Sequence, residues 1–156
     1  MRLSARVDYA LRAMAELAAA ADRDGGAGPV PMTAEQVARA QDIPPKFLES
    51  ILLQTRRAGL VHAQRGPDGG YWLARPAREI MLGQVIRAID GPLANVRGQR
   101  PEDLGYQGAA AALQEVWIAL RASEREILDL VSIHDVATGK LPDRVRDLTA
   151  DPAAWA

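Results

Sequence analysis

The 156-residue sequence contains no cysteine, and this absence removes several classes of protein. Without a thiol there is no disulfide, no cysteine-ligated iron–sulfur cluster and no thiol-based sensor. Histidine is also rare: only His62 and His134 are present, and their wide separation along the chain makes them a weak candidate metal site. We therefore predict no metal ion and no cofactor, and the sequence leaves any small-molecule effector unidentified.

Long apolar runs are missing as well. No stretch approaches the roughly 20 apolar residues that a membrane-spanning helix needs, and the first residues lack the apolar core of a signal peptide. We therefore expect a cytoplasmic protein with no membrane partner. The sequence also lacks a nucleophile–base pair, a cluster of metal ligands and a phosphate-binding loop, so we predict that the protein is not an enzyme.

The net charge is only −1, but the charges are unevenly distributed. Residues 43–78 hold six Lys/Arg against two Asp/Glu, whereas residues 91–156 hold seven against ten. A local excess of positive charge is typical of a surface that contacts nucleic acid. A solvated charged face has the same composition, so this pattern alone leaves both interpretations open.

The clearest structural pattern begins at residue 43. Pro45 suits the first turn of a helix, where its missing N–H is not needed, and Gly59 is typical of the position just after a helix. A helix is therefore predicted from Pro45 to Ala58. Its buried side is predicted from apolar residues at helical spacing: Phe47, Leu48, Ile51 and Leu52.

Two strand-like runs follow this helix, at residues 60–65 and 71–74. They are joined by Gly66-Pro67-Asp68-Gly69-Gly70, in which glycine and proline permit turn dihedral angles. A helix with one polar side followed by such a hairpin is typical of a winged helix-turn-helix. The same hairpin brings Arg65 to the base of its turn.

Helices are also predicted on both sides of this unit. Ser4 is a candidate N-cap of a first helix, and Thr33 with Gln36 has the spacing of a capping box for a short helix ending near Gln41. Two short helices joined by a few residues form a helix-turn-helix. A fourth helix is predicted from apolar residues between 82 and 89, and it ends at Gly91.

The longest helical pattern runs from about residue 109 to 131. Its apolar residues step by three and four, which is the spacing of a coiled-coil seam interrupted only by Ser123, and Leu128 and Val131 widen this face. We therefore predict a homodimer through this helix; an intramolecular core helix is the alternative. The candidate dimerisation residues are Leu113, Val116, Trp117, Leu120, Ile127 and Leu130.

The predicted organisation has four parts and a mainly α fold class with one small β-hairpin. Residues 1–91 form a winged helix-turn-helix domain, and residues 92–108 form a loop or linker that is a candidate effector-responsive element. Residues 109–139 contain the long C-terminal dimerisation helix and a short helix that Ser132 and Asp135 would cap. Residues 140–156 are expected to form a frayed tail.

Three stretches resemble the Rrf2 family of bacterial transcription regulators: MRLSARVDYALRAMAELA, IPPKFLESILLQTRRAGLVHAQRGPDGGYWLARP and IMLGQVIRAIDGPLA. The resemblance implies a dimeric, winged-helix, sequence-specific DNA binder, and for most members a repressor. Members that sense through an iron–sulfur cluster carry three cysteines between the fourth helix and the long helix. Residues 93–108 contain none, so cluster sensing is not implied here.

The candidate DNA-binding residues follow from this arrangement. The residues that would face base edges are Lys46, Glu49, Ser50 and Gln54, since lysine donates to guanine and glutamate accepts from cytosine. Glu49 paired with Lys46 or Arg57 is the alternative. Arg65 would enter a minor groove. The full set is Ser4, Tyr9, Thr33, Lys46, Glu49, Ser50, Gln54, Arg57, Arg65, Gly66, Gly69 and Gly70.

Two further possibilities remain open at this stage. Trp72, Trp117, Trp155 and Tyr106 are candidate walls of a small-molecule pocket, although packing is the more common use of aromatic residues. The near-zero net charge leaves a second function open, that of a winged-helix adaptor that binds proteins and not DNA. The predicted partners are therefore double-stranded DNA and a second copy of the chain, with the adaptor as the alternative.

Overall fold

The computed structural model describes residues 1–156 and confirms the predicted fold class, with seven α-helices and one two-stranded antiparallel sheet. In chain order the elements are α1 (Ala5–Arg23), α2 (Ala34–Gln41), α3 (Pro45–Arg57), β1 (Val61–Gln64), β2 (Gly70–Leu73), α4 (Leu82–Asp90), α5 (Leu113–Leu128), α6 (Ile133–Thr138) and α7 (Asp143–Ala150). No helix is both long enough and apolar enough to span a membrane.

Helix α1 runs through the centre of the N-terminal part. Ser4 is its N-cap, as predicted, since the Ser4 hydroxyl accepts a hydrogen bond from the Val7 N–H at 3.2 Å. Its small and apolar residues are buried against α2, α3, α4 and α6. The buried residues are Val7, Ala10, Ala13, Met14, Leu17, Ala18 and Ala20.

Helices α2 and α3 form the predicted helix-turn-helix. Thr33 and Gln36 form the reciprocal capping box expected at the start of α2. The turn that follows passes through Asp42 in a left-handed conformation and reaches Pro45 at the first turn of α3. Helix α3 buries Leu48, Ile51, Leu52 and Thr55.

The position of Phe47 contradicts one part of the prediction for α3. The spacing of apolar residues assigns Phe47 to the buried side of α3, but its side chain is 52% exposed. It lies at the edge of the apolar stripe, one position before the fully buried Leu48. The side chain of Thr55, which donates to the carbonyl of Leu52 at 3.0 Å, takes part in the buried side instead.

Strands β1 and β2 form the wing, and β2 begins one residue earlier than predicted. Val61 pairs with Leu73 and Gln64 with Gly70 in an antiparallel register. Met32, in the segment between α1 and α2, adds a bridge to Tyr71 through two backbone hydrogen bonds of 2.9 and 2.7 Å. The wing is therefore joined by backbone hydrogen bonds to the segment that leads into the helix-turn-helix.

The chain after α4 passes through the loop at residues 91–112, forms α5, and then returns to the N-terminal part. The N–H of Leu82 donates to the carbonyl of Val131 at 2.9 Å, and the N–H of Ile133 donates to that of Ile80 at 2.8 Å. Ile133 is fully buried in the same core cluster as Val7 and Met14. Helix α6, capped by Ser132 and Asp135 as predicted, consequently packs on α1.

The C-terminal third differs from the prediction in three ways. Helix α5 is shorter than expected, because a 3₁₀ turn at Gly108–Ala110 precedes its start at Leu113 and the helix ends at Leu128. Val131 is buried in the core and does not widen the face of α5. The expected frayed tail contains α7, followed by a 3₁₀ turn at Pro152–Trp155.

Candidate nucleic-acid interface

The outer side of α3 carries most of the predicted base-reading residues. Lys46, Glu49 and Arg57 are exposed, and none of them forms an ion pair or a side-chain hydrogen bond in the structure. The alternative in which Glu49 pairs with Lys46 or Arg57 is therefore absent from this conformation. The three side chains are available to a ligand that lies along this side of the helix.

Gln54 does not belong to this free surface, which corrects its prediction as a base-facing residue. Its side-chain N–H groups donate to the carbonyls of Ala88 at 3.0 Å and Ile89 at 3.1 Å, while its oxygen accepts from Arg6 at 2.8 Å. Gln54 therefore joins α3 to α1 and to the end of α4. These contacts occupy its oxygen and its amide group, so it has a structural role.

Ser50 takes part in the same network but stays exposed. Its hydroxyl accepts from Arg6 at 2.9 Å and donates to the carbonyl of Phe47 at 2.9 Å. Arg6, a residue of α1 that sequence reasoning missed, is thus held at the surface of α3 by Ser50 and Gln54. No spacing in the sequence signals this contact, because 44 and 48 residues separate the partners.

Two exposed apolar residues accompany the charged residues of α3. Phe47 is 52% exposed and Leu53 is 45% exposed. The ring of Tyr9 lies 6.4 Å from the ring of Phe47, and the guanidinium of Arg12 lies 4.9 Å from the Tyr9 ring centroid. Phe47 and Leu53 were not predicted at this interface. In a major groove, apolar side chains contact the methyl group of thymine.

The two capped helix N-termini offer different surroundings to a phosphate. The Ser4 hydroxyl at the start of α1 donates to the Asp90 carboxylate at 2.8 Å, so an acidic group already lies beside it. Thr33, at the start of α2, is exposed, and the acidic residue of that first turn, Glu35, is already paired with Arg39 at 2.8 Å. Free N–H groups at a helix N-terminus favour anions, and the start of α2 suits them better than the start of α1.

The wing presents Arg65 to solvent, without an ion pair or a side-chain hydrogen bond. Gly66 follows with a positive φ of 110°, and no atom lies within 4 Å of the position a Cβ would take there. A Cβ on Gly69 would lie 2.2 Å from the carbonyl oxygen of Gln64, and a Cβ on Gly70 would lie 2.6 Å from that of Met32. Local geometry therefore requires glycine at positions 69 and 70, and the buried Gly70 is closed to a phosphate by Met32.

Helix α5 presents an unusual surface, since none of its residues is buried. Of the predicted dimerisation residues, Ile127 is half-buried, and Trp117 is half-buried with its indole N–H donating to the Tyr106 hydroxyl at 3.0 Å. Leu130 is exposed but lies beyond the end of the helix. The large exposed apolar residues of α5 are Leu113, Val116, Ile118 and Leu120.

The loop before α5 is tied to it by Glu102, whose carboxylate accepts from Arg121. A hydrogen bond from its own backbone N–H, and then the bond from Arg121, hold the pKa of the Glu102 carboxyl below its ordinary value. Gln114 of α5 also donates to the carbonyl of Leu104 at 2.7 Å. The loop is therefore ordered against α5.

The aromatic residues do not form the single pocket considered above, which corrects that prediction. Trp117 and Trp72 line two separate cavities, of about 460 and 530 Å³. Trp155 is exposed, with its indole N–H donating to the carbonyl of Thr149 at 2.7 Å. By contrast, His62 and His134, far apart in the sequence, line the same cavity as Trp72.

Three comparisons with known proteins agree on the family. The sequence profile of the Rrf2 family, described as an iron-dependent transcriptional regulator, matches residues 3–139. A Mycobacterium tuberculosis protein, whose name places it among the HTH-type transcriptional regulators, is 49% identical over 97% of this chain and 90% of its own length. The HTH-type transcriptional regulator CymR of Bacillus subtilis is 31% identical over 88% of this chain and 91% of its own.

Comparison with solved structures supports the same family. The structure of CymR, the global cysteine regulator of B. subtilis, has a TM-score of 0.72 with 28% identity, covering 90% of this chain and 98% of that one. T. potens IscR has a TM-score of 0.64 with 28% identity, covering 100% of this chain and 93% of that one. These relatives are regulators and not enzymes, as predicted. The chain belongs to the Rrf2 family of winged helix-turn-helix transcriptional regulators.

Proposed function

We propose that this regulator is a sequence-specific DNA-binding repressor, which acts as a homodimer on a pseudo-palindromic operator and carries no iron–sulfur cluster. The observation that carries the proposal is the free surface of α3. Lys46, Glu49 and Arg57 are exposed and unpaired there, on a helix-turn-helix whose wing carries the equally free Arg65 at the base of its turn. Repression is the role that the family resemblance implies.

The geometry of α3 suits the major groove. In this position Lys46 would donate to guanine, Glu49 would accept from the amino group of cytosine, and Phe47 would contact a thymine methyl. Glu49 would lower the affinity for any sequence that lacks a donor at its position, because an unpaired carboxylate close to phosphates is repelled. Arg65 would reach the neighbouring minor groove, where narrow A·T-rich tracts attract arginine.

The homodimer is supported by the surface of α5. Leu113, Val116 and Leu120 are apolar and exposed, and the helix buries no residue within its own chain. An exposed apolar surface of this kind is typical of a protein–protein interface. Two copies related by a two-fold axis would present two α3 helices, so the operator would have two related half-sites.

The family description names iron, but the residues of this chain do not fit an iron–sulfur cluster. The sequence has no cysteine, and in the structure no group of three or more His, Cys, Asp or Glu residues is close enough to hold a metal ion. Cluster ligation in proteins relies on cysteine thiolates, supplemented at some centres by histidine. The ligand residues available in this chain therefore support a regulator whose signal is not sensed through an iron–sulfur cluster.

The test is to incubate the purified protein with fragmented DNA from its own genome at moderate salt and to sequence the retained fragments. We expect a recovered pseudo-palindromic motif. Lys46→Ala should reduce retention of that motif by about tenfold, which corresponds to one charge-assisted base contact. Lys140→Ala is the matched control, because Lys140 is the only other lysine and lies between α6 and α7.

If the protein is an adaptor that binds proteins and not DNA, no DNA motif should be recovered. Binding that depends on phosphate contacts weakens steeply as salt concentration rises, because counterions are released from the duplex. A protein that retains no motif, and whose weak DNA retention does not depend on salt, would contradict the proposed function and favour the adaptor. A motif retained equally by Lys46→Ala and the unmodified protein would contradict the assignment of α3 as the reading helix.

A further inference from the structure

The larger of the two cavities lies behind the wing and contains both histidines of the chain. It has a volume of about 530 Å³, opens to solvent, and is lined by the C-terminal half of α1, residues 26–30, the wing, residues 73–78 and His134 of α6. Ligand pockets in proteins typically measure about 300–1,000 Å³ and combine apolar walls with a few convergent polar groups. This cavity has both properties.

One wall is aromatic. His62 of β1 and Trp72 of β2 face each other across the strands, and their ring centroids are 5.8 Å apart. Leu17 and Ala18 of α1 also line the cavity and are buried, so they provide an apolar floor. A half-exposed tryptophan ring beside a buried aliphatic surface suits a flat, largely apolar molecule.

The charged groups of the cavity are mainly positive. Arg75 and Arg78 line it and are exposed, and neither forms an ion pair or a side-chain hydrogen bond in the structure. Asp22 is the only acidic residue of the lining, and its carboxylate lies 3.6 Å from Nδ1 of His134. The side chain of His134 is 15% exposed. The free charge of the cavity is therefore carried by two guanidinium groups.

We propose that this cavity binds a small organic anion with a flat ring, such as an aromatic carboxylate. The ring would lie against Trp72 and the apolar floor, and the carboxylate would accept hydrogen bonds from Arg75 and Arg78. Guanidinium groups form paired, charge-assisted hydrogen bonds with carboxylates, which makes arginine the suited residue for this anion.

The position of the cavity links the ligand to the wing. His62 and Trp72 belong to the wing, and the segment that encloses the other side continues to Met32, which is bridged to Tyr71. An anion that contacts both would change the freedom of the wing and hence of Arg65. This effect on DNA rests on the proposed function, whereas binding of the anion does not.

Proton NMR tests binding directly, because both imidazoles of the chain lie in the cavity and only one of its three indoles does. The probes are benzoate, neutral benzyl alcohol and cationic benzylamine. We expect benzoate to shift both imidazole signals and the Trp72 indole signal in a saturable manner, without shifting Trp117 or Trp155. Benzyl alcohol should bind about tenfold more weakly, and benzylamine should not saturate.

Variants identify the groups that hold the anion. Arg75→Ala with Arg78→Ala should weaken benzoate binding by about tenfold or more, while Arg97→Ala, an exposed arginine outside the cavity, should leave it unchanged. Arg75→Lys with Arg78→Lys keeps the charge and the fold but removes the paired donors. If the double lysine variant binds benzoate as tightly as the unmodified protein, the paired contact is wrong.

The site and the proposed function fail in different ways. Unshifted imidazole signals, or equal shifts with all three probes, would overturn the anion site whatever the protein does with DNA. Imidazole shifts with an unchanged affinity for the recovered operator would retain the site and overturn its link to the wing. Imidazole shifts in a protein that retains no DNA motif would support the site and contradict the proposed function.

Discussion

Helices α3 and α5 both expose apolar residues, but they differ in what supports them. The 13-residue α3 buries four residues against the rest of the chain, while the 16-residue α5 buries none. The exposed side of α3 mixes Phe47 and Leu53 with unpaired charges. The exposed side of α5 carries a series of large apolar residues, among them Val116 and Leu120.

This difference shows which surface needs which kind of partner. A helix that is held rigidly by its own chain and carries free charges suits a polyanion, because the charged side chains are available without loss of packing. A helix with no fully buried residue, such as α5, leaves a large apolar area in contact with water. Burial of one leucine side chain stabilises by about 1.5–3 kcal/mol. The exposed apolar side of α5 therefore favours contact with another protein chain, and in the proposed dimer this chain is the second copy.

The substitution with the largest expected effect is Leu120→Glu in α5, where the native side chain is 44% exposed. A carboxylate in the apolar interface would cost several kcal/mol, because a buried charge without a partner loses its hydration. We expect a folded monomer in analytical ultracentrifugation and an operator affinity reduced by roughly 100-fold or more, since one half-site replaces two.

The matched control is Leu148→Glu in α7, where the native side chain is similarly exposed. This variant should remain dimeric and bind the operator normally. A Leu120→Glu protein that sediments as a dimer would contradict the role of α5.

A smaller effect, confined to the DNA-facing part, is expected for Gly70→Ala. The new Cβ would lie 2.6 Å from the carbonyl oxygen of Met32 at a residue whose φ is +149°. We expect the free energy of unfolding to fall by about 1–3 kcal/mol, measured by urea denaturation, with the dimer unaffected. Gly28→Ala is the control, because nothing lies within 4 Å of its Cβ position; equal stability of the two variants would contradict the role of the Met32 bridge.

The smallest effect is expected for Glu102→Gln, which weakens the contact between the loop and α5. The pKa of Glu102 is lowered in the folded state from its ordinary value of 4.5, so ionised Glu102 stabilises the fold at higher pH. This contribution is present above pH 4.5 and is lost as the pH falls through the lowered pKa. We expect a slightly lower Tm for the variant at pH 7 and equal Tm values at strongly acidic pH.

Glu115→Gln is the control for this variant, since Glu115 is exposed on α5 and forms no ion pair. Its Tm should equal that of the unmodified protein at both pH values. If the Tm of the Glu102→Gln variant is still lower than that of the unmodified protein at acidic pH, the charge of Glu102 is not the cause of the lower Tm.

The local signals of the sequence predicted most of the fold. Ser4, Thr33 with Gln36, and Ser132 with Asp135 mark helix starts through hydrogen bonds between residues three positions apart. Pro45 marks the start of α3 through its fixed φ, without a capping hydrogen bond. Each of these starts lies where the sequence predicts it. Helix α7 was missed although Pro142 and Asp143 are a typical helix start, because only Val145 and Leu148 are large and apolar in it.

The parts that sequence could not predict depend on distant contacts. The contacts of Gln54 with Arg6, Ala88 and Ile89 join residues 34 to 48 positions apart, so its spacing on α3 gave no indication of a structural role. His62 and His134 come together only because α6 returns to α1. In each case the side chain is polar and its partner is set by tertiary structure.

The contacts that hold α5 against the rest of its chain have a consequence for the operator spacing that the proposed dimer would accept. The Arg87–Asp129 ion pair, at 2.8 Å, and the bond between Leu82 and Val131 fix the end of α5 to α4, while Glu102 and Arg121 hold its side against the loop. In the proposed dimer, the crossing of two such helices would set the separation of the two reading helices. One inserted base pair rotates a half-site by about 35° around the duplex. A dimer whose two α3 helices have a fixed separation would therefore bind weakly to an operator whose half-sites are correct in sequence but lie at the wrong distance.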